Sequence, residues 1–132
     1  MRDGRTVERN AGPRGQTDDL AAWEASLVVV AGGPEGNEHL IDRARLVLGR
    51  GPGVDLAFED DRMSQQHAAL EFAAGRFHVT DLESTNGTQV NGAPVDHCEL
   101  SHGDRIGVGG MVFQILIEKR EAPPRAYLVE DA

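Results

Sequence analysis

Residues 67–92 read HAALEFAAGRFHVTDLESTNGTQVNG, and this stretch decides the fold class. Two short apolar runs, 67–72 and 76–80, flank Ala73-Ala74-Gly75, a loop with glycine where a positive φ is wanted, so they read as an antiparallel hairpin. A third run, 88–90, is followed at once by Asn91-Gly92, the dipeptide that best suits a type I′ turn because both central residues need φ > 0. Strands separated by tight turns, with no helical period between them, point to an all-β domain.

The same texture extends in both directions. Runs rich in Val, Ile, Leu and Phe recur at 27–31, 38–41, 45–49, 54–58, 104–108 and 111–118, and Gly, Asp, Asn and Pro stand between them. About ten short strands without an intervening helix favour a two-sheet antiparallel β-sandwich over a βαβ arrangement. The expected domain therefore covers residues 27–118. Residues 1–26 are polar and aperiodic, with too little apolar surface to offset the entropy of ordering, and are expected to be largely disordered. Within them, residues 18–25 tolerate a short helix with Thr17 as its N-cap. Residues 119–132 contain Pro123 and Pro124 and are expected to form a mobile tail.

The 132 residues carry 13 Lys+Arg against 22 Asp+Glu, a net charge of −9. Most of that acidity, a net of −8, lies in residues 27–118. Attraction to a phosphate backbone or an anionic bilayer needs a basic face, so nucleic acid and membrane are not expected partners. The single cysteine, Cys98, cannot form an internal disulfide. With no secretory pattern and no apolar run near the ~20 residues of a membrane span, a cytoplasmic, monomeric protein is expected.

The chemistry-bearing residues fall in the expected loops. Gly49-Arg50 ends a strand, Ser64-Gln65-Gln66-His67 enters another, and Ser84-Thr85-Asn86-Gly87-Thr88 forms a compact polar loop. Taken singly, each has an ordinary structural explanation as a solvated strand end, a loop hydroxyl or a turn. A lone His67 without further ligands at the right spacing makes a poor metal site, and no metal or cofactor is expected. No P-loop or dinucleotide fingerprint is present.

Taken together, four blocks resemble the forkhead-associated family of phosphothreonine-peptide-binding β-sandwiches. They are Gly49-Arg50, then Ser64-x-x-His67, then Asp81-Leu82-x-Ser84-Thr85-Asn86-Gly87-Thr88-x-Val90-Asn91-Gly92, then Leu100-x-x-Gly103-Asp104-x-Ile106-x-Val108-Gly109. The resemblance covers residues 27–118. It implies that Arg50, Ser64 and Thr85 contact the phosphate and that Asn86 holds the peptide main chain. It further implies that Arg62 selects an acidic residue three places after the phosphothreonine, and that Gly49, His67, Gly87, Asn91 and Gly92 support the binding loops, Gly87 by allowing a close backbone approach. Many members carry Arg or Lys at the position of Gln65, so one cationic contact is missing here. The residue types suit the task. A phosphothreonine bears about −2 charge and three strong acceptor oxygens, which an Arg fork and fixed hydroxyl donors satisfy.

The expected function is accordingly a non-enzymatic adaptor in Ser/Thr-kinase signalling whose partner is a phosphothreonine-containing protein. That partner includes the chain's own tail, phosphorylated at Thr17 or Thr6. The alternative is a scaffold with the same fold that binds without phosphate. A hydrolase with Ser64 as nucleophile and His67 as base is the weakest reading, because in an extended segment residues three apart face opposite ways.

Overall fold

A computed structural model describes residues 19–120. The expected helix over 18–25 is instead one 3-10 turn, Leu20–Ala22, capped by Asp19, whose carboxylate accepts from the Ala21 N–H at 3.0 Å. Thr6 and Thr17 lie outside the described residues.

Eleven strands follow: β1 (Trp23–Ala31), β2 (Glu38–Leu40), β3 (Arg45–Gly49), β4 (Leu56–Ala57), β5 (Ala68–Ala73), β6 (Arg76–Asp81), β7 (Thr88–Val90), β8 (Ala93–Val95), β9 (His97–Leu100), β10 (Arg105–Val108) and β11 (Met111–Lys119). They form a six-stranded sheet in the order β2-β1-β11-β10-β7-β8 and a five-stranded sheet in the order β4-β3-β5-β6-β9. The all-β sandwich expected from the sequence is the observed architecture. All pairs are antiparallel except β3 with β4, which run parallel through Leu48↔Leu56 and Gly49↔Ala57.

β1 begins at Trp23 rather than at position 27, because pairing with β11, from Trp23↔Lys119 onward, overrides the helix-tolerant composition of Ala-Ala-Trp-Glu-Ala. β8 and β9 had no sequence signal. Pro94 and the polar His97-Cys98-Glu99 mask them, and both are edge strands, where such residues are tolerated.

Period-2 burial builds the core. Along β11, Met111, Phe113 and Ile115 are buried and alternate with half-buried Val112, Gln114 and Leu116. They meet Leu27, Val29, Ile106 and Val108 of their own sheet and Leu46, Leu48, Leu70, Phe77 and Val79 of the other. The hairpin loop between β5 and β6 is tighter than expected. Ala73 pairs with Arg76, leaving Ala74 (φ +54) and Gly75 (φ +78) as a two-residue turn. Asn91 (φ +53) and Gly92 (φ +87) make the expected two-residue turn between Val90 and Ala93.

Candidate functional site

The loops after β3, before β5 and after β6 meet at one end of the sandwich, and hydrogen bonds lace them together. The Arg50 N–H donates to Ser64 O at 2.9 Å, and the Gly51 N–H donates to Gln65 O at 3.2 Å. A methyl group at Gly49 would collide with the Gln65 carbonyl, so glycine is what lets the end of β3 lie against this loop. Position 51 is similarly close, 2.8 Å from the Gln65 Cβ.

His67 is fully buried beneath the loops. Its Nδ1 accepts from the Ser64 N–H at 3.0 Å, and its Nε2 lies 2.8 Å from Gly87 O. A carbonyl can only accept, so Nε2 carries the proton and the ring is the neutral Nε2–H tautomer. The His67 backbone completes the brace, donating to Leu48 O at 2.8 Å and accepting from the Leu82 N–H at 2.9 Å. The extended segment that would keep Ser64 and His67 from readily sharing a hydrogen bond is not what forms: the segment turns, and they do share one. The shared bond uses the Ser64 main chain, however, and both imidazole nitrogens are already engaged. The geometry of a serine activated by this histidine is absent among the described residues.

The loop after β6 is set by Asp81. Its carboxylate accepts from Ser84 Oγ at 2.5 Å, Thr88 Oγ1 at 2.7 Å and the Ser84 N–H at 3.2 Å. Ser84 Oγ in turn accepts from the Gly87 N–H at 2.8 Å. These bonds hold Glu83 at φ +57, a conformation unfavourable for a residue with a Cβ. Burial of the Asp81 carboxylate opposes its ionisation, but the bonds from Ser84 and Thr88 outweigh it and keep the pKa below the ordinary carboxylate value. Sequence reading assigned no role to Asp81 or Ser84. The Asp-x-x-Ser spacing, which suits a carboxylate capping its own loop, was the available signal. Gly87 differs from expectation too. A Cβ there would meet nothing within 4 Å, so its role is the positive φ of +86 and not close approach.

With this frame in place, four side chains present their polar groups to solvent on one face. Arg50 is exposed; its Nε donates to Met63 O at 3.0 Å, which fixes the guanidinium while its two terminal nitrogens have no partner among the described residues. Ser64 Oγ accepts from the Thr85 N–H at 2.9 Å, leaving its own proton free to donate. Thr85 is exposed beside it. Asn86 Nδ2 donates to Arg62 O at 2.9 Å, which orients the amide while leaving its carbonyl oxygen and second N–H available. Gln65 is exposed at the edge of the cluster.

Arg62 sits across Gly110, where any side chain would collide with its guanidinium. Its Nε lies 3.7 Å from Asp60, with 72% of the side chain exposed. The Asp60 carboxylate accepts from the Arg62 N–H at 2.9 Å and the Gly110 N–H at 2.8 Å. The bond from Arg62, seconded by Gly110 and by the Arg62 charge, outweighs burial and lowers the Asp60 pKa. Asn91 and Gly92 are placed elsewhere, at the far end of β7. Asn91 bonds Asp104 at 3.1 Å and the Arg105 N–H at 3.0 Å, so the expectation that this turn shapes the binding loops is replaced by a brace on β10.

A family model for the FHA domain matches residues 46–109. The oxoglutarate dehydrogenase inhibitor of Corynebacterium jeikeium is 33% identical over 115 residues, 87% of this chain and 79% of that protein. The chain belongs to the FHA domain family. The glycogen accumulation regulator GarA of Mycolicibacterium smegmatis is 37% identical over 92 residues, 70% of this chain. That match spans only 58% of GarA's own length. Among solved structures, an FHA domain from a study of phosphothreonine-dependent FHA domain interactions superimposes with a TM-score of 0.64 at 28% identity, covering 76% of this chain and 98% of that one. The matched region, 46–109, contains all three laced loops of this FHA fold, from Gly49 through Gly87. No helix among the described residues is long and apolar enough to cross a membrane.

Proposed function

We propose that this FHA domain is a binding module that captures phosphothreonine peptides at Arg50, Ser64, Thr85 and Asn86 and recruits their proteins in Ser/Thr-kinase signalling. One observation carries the reading: three laced loops bring together a guanidinium fixed at Nε, its two terminal nitrogens without a partner among the described residues, and a serine hydroxyl whose one hydrogen bond among them is accepted. That is a set of donors without acceptors, the complement of a phosphate's three oxygens. Charge-assisted bonds of this kind contribute about 1.5–3 kcal/mol each. Asn86, free at one acceptor and one donor, suits a peptide main chain, and Arg62 over Gly110 suits an acidic residue further along the peptide. Nothing in the cluster is arranged to break a bond, so capture is the chemistry it supports.

The relatives' names extend the reading. One is an inhibitor of oxoglutarate dehydrogenase and another a regulator of glycogen accumulation, which supports recruitment to an enzyme of central carbon metabolism. Gln65 favours a second reading, a phosphate-independent scaffold, because it withholds a cation from the site. One experiment separates the two. In an amide NMR titration with a phosphothreonine peptide, the account expects shifts at Arg50, Ser64, Thr85 and Asn86 that the unphosphorylated peptide does not produce. Equal shifts from both peptides would favour the scaffold.

A further inference from the structure

We propose that the outer face of the six-stranded sheet carries a second protein-docking groove, which takes a partner segment with one aliphatic side chain flanked by Lys or Arg. The groove lies where β2, β1 and β11 run side by side, and it stands apart from the phosphothreonine reading. Ser26 pairs with Leu40 on one side and Leu116 on the other, so these three side chains share the sheet's outer surface. Leu40 is 64% exposed and is the one exposed large hydrophobic residue among those described. Beside it is an open groove of about 150 Å³, edged by Glu24, Glu38 and Glu118. Small-molecule pockets usually exceed ~300 Å³, so this one suits a single side chain of a polypeptide.

Two independent features specify the occupant. None of the three glutamates pairs with a cation among the described residues, whereas Glu99, for example, is met by Arg76 at 3.0 Å. Glu24 and Glu118 are direct cross-strand partners, and two like charges held opposite each other oppose strand pairing unless a cation comes between them. The second feature is Ser26. It is only 4% exposed, lines the groove, and its hydroxyl has no partner among the described residues. The hydroxyl is open to a polar group arriving in the groove, and a polypeptide's main chain supplies both donors and acceptors. A second copy of this chain does not fit, because a two-fold contact would press the three glutamates against their own images.

The groove and the loop cluster can be occupied together. Glu118 lies eight residues along the chain from Gly110, the glycine just before β11 over which Arg62 packs, and at ~3.4 Å per residue that is about 27 Å. A −8 domain that repels a phosphopeptide at long range would gain a compensating attraction for partners whose basic segment reaches this face.

The probe is a capped peptide of sequence Lys-Arg-Leu-Val-Lys-Arg, titrated into the full-length protein and followed by amide NMR. Shifts should cluster at Ser26, Leu40 and Leu116 and spare Arg50, Ser64 and Thr85. Leu40→Asp and the pair Glu38→Lys with Glu118→Lys should each weaken the peptide about tenfold or more, while a phosphothreonine peptide still shifts the Arg50, Ser64 and Thr85 amides and the melting temperature does not fall. A control peptide with Gly-Ser in place of Leu-Val should bind more weakly. The proposal is overturned if no shifts appear, if they fall on the Arg50 loops, or if the Gly-Ser peptide performs equally. A Leu40-dependent dimer in sedimentation without peptide would also overturn it.

Discussion

His67 and Gly87 illustrate how single residues decide whether the loop cluster exists. His67 ties its own loop to the Gly87 loop through one buried ring, so His67→Ala leaves the Ser64 N–H and the Gly87 carbonyl without partners. We expect a loss of about 2–4 kcal/mol in urea unfolding and a larger effect on peptide binding than on fold. Gly87→Ala acts through backbone conformation alone, because space is available but φ is +86. Its expected cost is about 1–2 kcal/mol, and Gly87→Asn should be milder than Gly87→Ala when both are compared by thermal melts, since asparagine tolerates this region. The glycine was legible in the sequence as a loop residue, but its reason was not: spacing gives no φ, and a close approach and a left-handed turn spell the same letter. His67 as a brace was legible only through the family resemblance. Its partners, one three residues away and one twenty residues away, arise from tertiary contact that no local pattern encodes.

At the scale of strands and turns, the tight hairpins were the most readable elements. Asn91-Gly92 dictates its own geometry, and β6 begins with the alternation of a half-buried strand, although its partner β5 opens with three buried residues in a row. The runs at 45–49 and 54–58 were readable as strands but their parallel pairing was not, and the edge strands β8 and β9 were not readable, because three or four residues with polar or proline content carry no periodic signal and exist through their neighbours. The same separation of roles makes a prediction. Asn91 braces β10 through Asp104 and Arg105 and makes no hydrogen bond to the Arg50, Ser64 or Thr85 loops among the described residues. Asn91→Ala should therefore lower stability by about 1–2 kcal/mol in denaturant titration while peptide affinity, measured by fluorescence anisotropy well below the melting temperature, stays within about twofold of wild type.

For the molecule as a whole, acid is the informative stress. Asp60 and Asp81 both have folded-state pKa values below their unfolded value of about 3.9. Groups shifted downward contribute stability that is complete above the unfolded pKa and is lost as pH falls through it toward the folded pKa. Thermal melts should thus be flat in this contribution from pH 7 to 5 and fall steeply below pH 4. Asp81→Asn should begin lower and show a shallower fall, and an unchanged slope would place the acid sensitivity elsewhere. Because both carboxylates hold the binding loops, peptide affinity should decline in the same window, after a separate, earlier fall at pH ~6 where the ligand phosphate takes up its second proton.

The net charge of −9 frames the central claim, since such a domain draws no phosphopeptide from a distance and must hold it by local geometry. The most direct test is calorimetric titration of one peptide in its phosphothreonine and plain threonine forms into wild type and Arg50→Ala. The account predicts binding of the phosphorylated form alone, and a loss of about 2–5 kcal/mol on removing Arg50. Equal affinity of the two forms, or an Arg50→Ala protein that binds as wild type does, would contradict it.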